Sequence, residues 1–199
     1  MTAVQPEARA RGGIVVLHES REFGRGLLAL LQALADEGWI AVAPHLFHRD
    51  DDADEVFGDN LFADFDAAVA WLLARGVFPD TVGVLGFDDA GTAAFLVATG
   101  RSVAAAVSVG PAGLVQPLQE DTPALVDAAA DLQAPWLGLF GADDATADIE
   151  ALRDAVARAA VATNIVVYEG AEHRADTTVL SDDVDAQTRI FDWFDGNLR

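Results

Sequence analysis

Six apolar runs, nearly free of polar alternation, constrain the fold of this chain more than any other feature. They are Gly13–Leu17, Trp39–Ala43, Val82–Leu85, Val103–Val109, Pro135–Phe140 and Asn164–Tyr168. A strand with one wetted face alternates apolar and polar residues, whereas a continuously apolar run reads as a strand buried on both faces. Between the runs lie segments of helical spacing. Leu27, Leu30, Leu31 and Leu34 precede Gly38, which sits where a helix C-cap glycine belongs. Leu61, Phe65, Ala68, Val69 and Leu72 share a second stripe that ends near Gly76. Ile149, Leu152 and Val156 mark a third, and Val184, Ile190, Phe191 and Phe194 a closing one. This alternation predicts an α/β fold: a mostly parallel sheet of about six or seven strands with helices on both faces.

A chain of 199 residues that is 52% hydrophobic is long enough for one well-buried domain and short for two. No repeat, low-complexity stretch or linker interrupts it. The expected organisation is a single domain over residues 1–199, with 1–12 as a peripheral N-terminal segment. The formal net charge is −21, and all 12 basic residues are arginine. Such a field repels nucleic acid and anionic membranes, so neither is expected as a partner. A lysine-free acidic surface also fits a protein kept soluble in high salt. With no cysteine there is no disulfide, thiolate ligand or thiol nucleophile. Met1–Arg11 lacks the apolar core of a signal peptide, and no run approaches the roughly 20 apolar residues that span a bilayer. The expected location is the cytoplasm.

In parallel sheets the working residues lie beyond the carboxyl ends of the strands. There, Val82–Leu85 runs into Gly86-Phe87-Asp88-Asp89-Ala90-Gly91, and an apolar helical segment, Thr92–Ala98, leaves it. This is the layout of a nucleophile elbow, a sharp strand-to-helix turn that exposes one side chain above the sheet. The middle residue of an ordinary elbow is Ser or Cys; here it is Asp88. Two later strand ends supply Asp144, in Gly141-Ala142-Asp143-Asp144, and His173, in Gly170-Ala171-Glu172-His173. Nucleophile, acid and histidine therefore follow the chain order of α/β-hydrolase triads. His173 would serve as general base, with a carboxylate fixing its tautomer. Asp143 competes with Asp144 for that carboxylate role. Oxyanion donors are expected from the backbone N–H of Asp89 and from the Glu19–Ser20 loop.

The sequence resembles the dienelactone hydrolase family of the α/β-hydrolase superfamily. The matching stretches are Ile14-Val15-Val16-Leu17-His18-Glu19, Gly38–Pro44, Val84–Phe87, Pro135–Gly141 and Ala171-Glu172-His173. The resemblance implies Asp144 and His173 as acid and base. It also implies that Glu19 contacts the nucleophile and that Arg49 lies near the place where some relatives hold a substrate carboxylate. The family's Gly-x-Cys-x-Gly-Gly is Gly86-Phe87-Asp88-Asp89-Ala90-Gly91 here, so its cysteine chemistry on cyclic enol esters does not transfer unchanged.

Two readings of Asp88 stand side by side. A carboxylate can be a covalent nucleophile, and the same superfamily contains Asp-His-Asp enzymes, the haloalkane dehalogenases and epoxide hydrolases. Asp88 can equally be an inactive replacement, stabilised as an anion at a helix N-terminus. The expected function is a hydrolase with an Asp88–His173–Asp144 site acting on a small organic substrate. The alternative is a non-catalytic or non-hydrolytic relative: a small-molecule binder, an isomerase or a cyclase. No cofactor or metal is expected. His18, His45 and His48 lack ligand spacing. The acidic run Asp50–Glu55 fails the EF-hand pattern, with Glu55 where glycine is needed and Leu61 where glutamate is needed. Oligomeric state is left open.

Overall fold

The computed structural model describes residues 1–19, 23–49, 59–141, 144–168 and 184–198. The strands are β1 (Thr2–Val4), β2 (Gly12–Leu17), β3 (Trp39–Ala43), β4 (Val82–Phe87), β5 (Ala105–Val109), β6 (Trp136–Gly141) and β7 (Thr163–Tyr168). The described helices are α1 (Arg25–Asp36), α2 (Asp59–Leu73), α3 (Asp89–Gly100), α4 (Leu125–Ala128), α5 (Thr146–Val156) and α6 (Val184–Asn197). The strands form one sheet in the order β1-β3-β2-β4-β5-β6-β7. All neighbours are parallel except β1, which pairs antiparallel with β3.

The continuous apolar runs are explained by layers on both sides. Along β2, Val15 and Leu17 enter one core with Leu61, Phe65, Phe95 and Leu152. Ile14 and Val16 point the other way, into a core with Leu27, Leu31, Ile190 and Phe194. Each of these twelve side chains is nearly or fully inaccessible, so removing one from water contributes about 1.5–3 kcal/mol. Helix α1 is amphipathic and stops at Gly38, whose φ of 99° closes the turn while its N–H donates to the Ala35 carbonyl at 2.9 Å. Helix α3 has no wet stripe: every residue from Ala90 to Ala98 is buried. It is the central helix, packed beneath the sheet with Phe95 edge-on to Trp136, ring centroids 4.9 Å apart.

Two elements go beyond the sequence reading. Residues 2–4 form an edge strand, and the segment before β6 carries the short helix α4 followed by a 3-10 turn at Ala129–Asp131. Neither has enough residues to show a period.

The strand order fixes the place of the site. The chain moves from β2 outward to β3, then returns across β2 to β4, so its winding reverses between β2 and β4. A crevice opens at the carboxyl ends of strands where the order reverses. Leu17 of β2 lies opposite Gly86 of β4. Glu19 and Asp88, each two residues further on, are therefore carried to the same edge side by side.

Candidate active site

The elbow is present. β4 ends at Phe87, α3 begins at Asp89, and Asp88 between them has φ 54° and ψ −125°. It is the one non-glycine residue with positive φ among the described residues. Such a conformation costs about 1–3 kcal/mol and persists only where surrounding structure over-determines it. Three contacts do so. The N–H of Asp88 donates to the Val109 carbonyl at 2.9 Å, and the Asp88 carbonyl accepts from the Thr92 N–H at 3.1 Å. The Thr92 hydroxyl in turn donates to the Ala112 carbonyl at 2.7 Å. The turn also demands a glycine at 86, because a Cβ there would lie 2.1 Å from the Ala90 carbonyl oxygen.

A buried relay ties the start of α3 to the neighbouring strands. The Ser108 hydroxyl donates to the Gly91 carbonyl at 2.7 Å and accepts from the Trp136 indole N–H at 2.9 Å. Ser108 is fully inaccessible, so losing it strands two polar groups at about 1–3 kcal/mol each. Ser108 and Trp136 read in the sequence only as members of apolar runs; their spacing across β5 and β6 gives no signal of this pairing.

Glu19 is placed against the elbow. Its pKa is pushed up from 4.5 to about 7, first by burial, then by the negative charges of Asp89 and Asp88. Hydrogen bonds from the backbone N–H groups of Ala90 and Asp89 favour its anion without offsetting the rise. The Asp89 N–H expected to serve an oxyanion is thus engaged by the Glu19 carboxyl. Glu19 Oε1 is buried with no hydrogen-bond partner among the described residues.

His18, one residue earlier, is 1% exposed. Burial lowers its pKa to about 4, helped by the nearby His45 and opposed by a hydrogen bond to the Pro44 carbonyl. It is a neutral wall at physiological pH. The Phe23 ring packs between the two imidazoles, 5.3 Å from His18 and 5.8 Å from His45.

Asp144 follows β6 at the same edge of the sheet. Its Oδ2 accepts the Gly141 N–H at 2.7 Å, and its own N–H donates back to the Gly141 carbonyl at 3.3 Å. Arg49 grips Asp64 with two N–H groups at 2.7 and 2.8 Å, and His48 Nε2 lies 3.0 Å from the same carboxylate. Burial opposes ionisation of Asp64, but these hydrogen bonds and charges hold its carboxyl below the usual range. Both guanidinium arms that the sequence offers to a substrate are therefore turned to a protein carboxylate. Ser20, Asp143, His173 and the acidic run 50–55 lie outside the described residues. No grouping of three or more side chains suited to a metal ion occurs among the described residues.

A parallel sheet entered at its switch point by a strained strand–helix elbow is the architecture of an α/β-hydrolase. The chain belongs to the dienelactone hydrolase family, whose model matches residues 1–195. It is similar to two curated relatives named "Putative carboxymethylenebutenolidase". One is from Salmonella typhimurium, 29% identical over 184 residues, with 80% of this chain and 66% of the relative covered. The other, from Escherichia coli K12, is 27% identical over 210 residues, covering 91% and 75%. Among solved structures it is similar to the "Putative Dienelactone Hydrolase" of Klebsiella pneumoniae, with a TM-score of 0.80 and 27% identity over 97% of this chain and 91% of that one. No described helix is long and apolar enough to cross a membrane.

Proposed function

We propose that this chain is a cytoplasmic single-domain hydrolase of small organic molecules that attacks with the carboxylate of Asp88. His173 acts as the base and Asp144 as the carboxylate that orients it. The observation that carries this reading is the backbone of Asp88: a strained φ of 54° at the strand-to-helix turn, the position from which an elbow presents its nucleophile.

The chemistry follows from the residue type. An Asp88 oxygen attacks a saturated carbon bearing a halide or a strained ring oxygen. The carbon–leaving-group bond breaks with its electron pair, and an alkyl-enzyme ester remains. His173 then takes a proton from water, the hydroxide adds to the Asp88 carboxyl carbon, and the alcohol departs with the proton returned. Attack on an ester carbonyl would give a mixed anhydride instead, a poorer intermediate. Crowding of negative charge is relieved at Glu19, which holds a proton below about pH 7 and leaves the elbow with one fewer anion.

A second reading is favoured by the same glutamate. Its engagement of the Ala90 and Asp89 N–H groups fills the place where a developing oxyanion would sit, as a relative that only binds its ligand would tolerate. The test between the two is a trapped intermediate. With His173→Gln, incubation with short alkyl halides and epoxides should add the mass of the alkyl group to the peptide containing Asp88. Unmodified peptide across the whole panel favours the binding protein.

A further inference from the structure

A cleft of about 330 Å³ opens at the end of the sheet opposite Asp88. Its walls come from Arg9–Gly12, leading into β2, and from Arg75–Phe78 and Thr81, just before β4. β4 has six residues, so the cleft and the elbow are separated by roughly 20 Å of strand at about 3.3 Å per residue. It is independent of the proposed catalytic site.

Its chemistry runs against the rest of the molecule. The chain carries 33 acidic residues against 12 arginines, yet three of those arginines and no carboxylate line this cleft. In so acidic a chain an arginine is expected to be paired with a carboxylate. Arg11 is: it bonds Asp195, donates to the Glu37 carbonyl at 3.0 Å and lies over Trp39. Arg9 makes no hydrogen bond or ion pair with any described residue, and it is exposed. Among the described residues the Arg75 side chain is held by Trp71 alone: it stacks 3.4 Å from the ring centroid and donates to the Trp71 carbonyl at 3.2 Å. That stacking fixes the plane of the guanidinium without neutralising it. Phe78, 62% exposed, gives the cleft an aromatic surface. The exposed acids nearby in sequence, Glu7 and Asp80, are not among the lining residues.

Two uncompensated cations beside an open aromatic ring match a ligand with a dianion at one end and a flat ring at the other. Guanidinium groups bind phosphate oxygens in paired geometry, and bases and aryl rings stack on phenylalanine. The volume lies at the lower end of small-molecule sites, about 300–1,000 Å³. We propose that this cleft is a second binding site, for a small organic phosphate monoester carrying a planar ring, with the phosphate between Arg9 and Arg75 and the ring on Phe78.

Calorimetric titration of the full chain tests it, in the lowest salt at which circular dichroism shows the native fold. The probes are adenosine monophosphate and phenyl phosphate, with inorganic phosphate and adenosine as comparisons. One of the two monoesters should bind saturably below about 1 mM, at least 10-fold tighter than inorganic phosphate or adenosine, and which one binds tighter names the ring. Arg9→Ala removes no hydrogen bond or ion pair with any described residue and should weaken the monoester about 10-fold. Phe78→Ala should weaken the monoester about 5-fold and leave inorganic phosphate unchanged. Arg158→Ala, at an exposed arginine outside the cleft, should change nothing. No saturable binding at 5 mM of either monoester (on the order of the weakest specific sites), or binding equal in wild type and Arg9→Ala, overturns the proposal.

Discussion

Glu19→Gln isolates the electrostatics of the elbow, because glutamine keeps the size and the acceptor oxygen but cannot ionise. Glu19 has a pKa of 4.5 in an exposed chain and about 7 in the fold, so the native state holds its proton more tightly. The sign follows by linkage: below pH 4.5 both states are protonated and the group contributes nothing. Between 4.5 and about 7 only the unfolded state has lost its proton, and stability falls as pH rises. Above pH 7 the loss is complete. At about 1.36 kcal/mol per pH unit the ceiling is about 3.4 kcal/mol. Glu19 is only half-buried and solvent screens its partners, which reduces this to about 1.5 kcal/mol. For a chain of 199 residues that is about 3–6 °C in Tm. The assay is thermal unfolding of both proteins at pH 4.5, 6 and 8 in constant salt. Glu19→Gln should match wild type at pH 4.5 and exceed it by about 3–6 °C at pH 8. His18 works in the opposite sense: its lowered pKa removes stability as pH falls from 6.5 to about 4. Both proteins carry that slope, so the difference between them reports Glu19 alone. A gap of the same size at all three pH values would refute the reasoning.

Two further substitutions probe the elbow itself. Gly86→Ala sets a Cβ 2.1 Å from the backbone carbonyl of Ala90, which cannot swing aside, and should cost more than about 3 kcal/mol in urea unfolding; an unchanged midpoint would show that the turn is not built this way. Asp88→Gly releases a strain of about 1–3 kcal/mol against about 0.5–1 kcal/mol of added chain entropy, so the variant should be more stable than wild type by about 1 kcal/mol and inactive. A loss of stability would mean that Asp88 is a structural residue.

The layered fold was legible because six apolar runs and their helical partners carry period and length. The elbow was legible because Gly86, Ala90 and Gly91 flank one residue at a strand end, and Asp88 sits where that spacing put it. What the sequence could not supply is the register between distant strands. Leu17 opposite Gly86 brings Glu19 to the elbow, and no local pattern encodes that pairing. The family resemblance puts Arg49 near a substrate carboxylate, and nothing local to residues 48–49 signals that a protein carboxylate takes that place. The partner of Arg49, Asp64, lies 15 residues on, inside α2, where a carboxylate among apolar residues reads as a solvated position. The arginines of the cleft were likewise scattered in sequence, at 9, 11 and 75, and are gathered by the return from α2 to β4.

The central claim is that Asp88 forms and releases an ester through its own carboxylate. A single turnover in ¹⁸O-water, with enzyme in excess over an alkyl halide or epoxide, reads this directly. Hydrolysis of the alkyl-enzyme ester transfers a water oxygen to the carboxylate that made the attack. The account predicts ¹⁸O in Asp88, seen as a mass gain of about 2 Da on its peptide, with the alcohol product unlabelled in the first turnover. Label in the alcohol and none in Asp88 would contradict it, because water would then have attacked the substrate without a covalent enzyme.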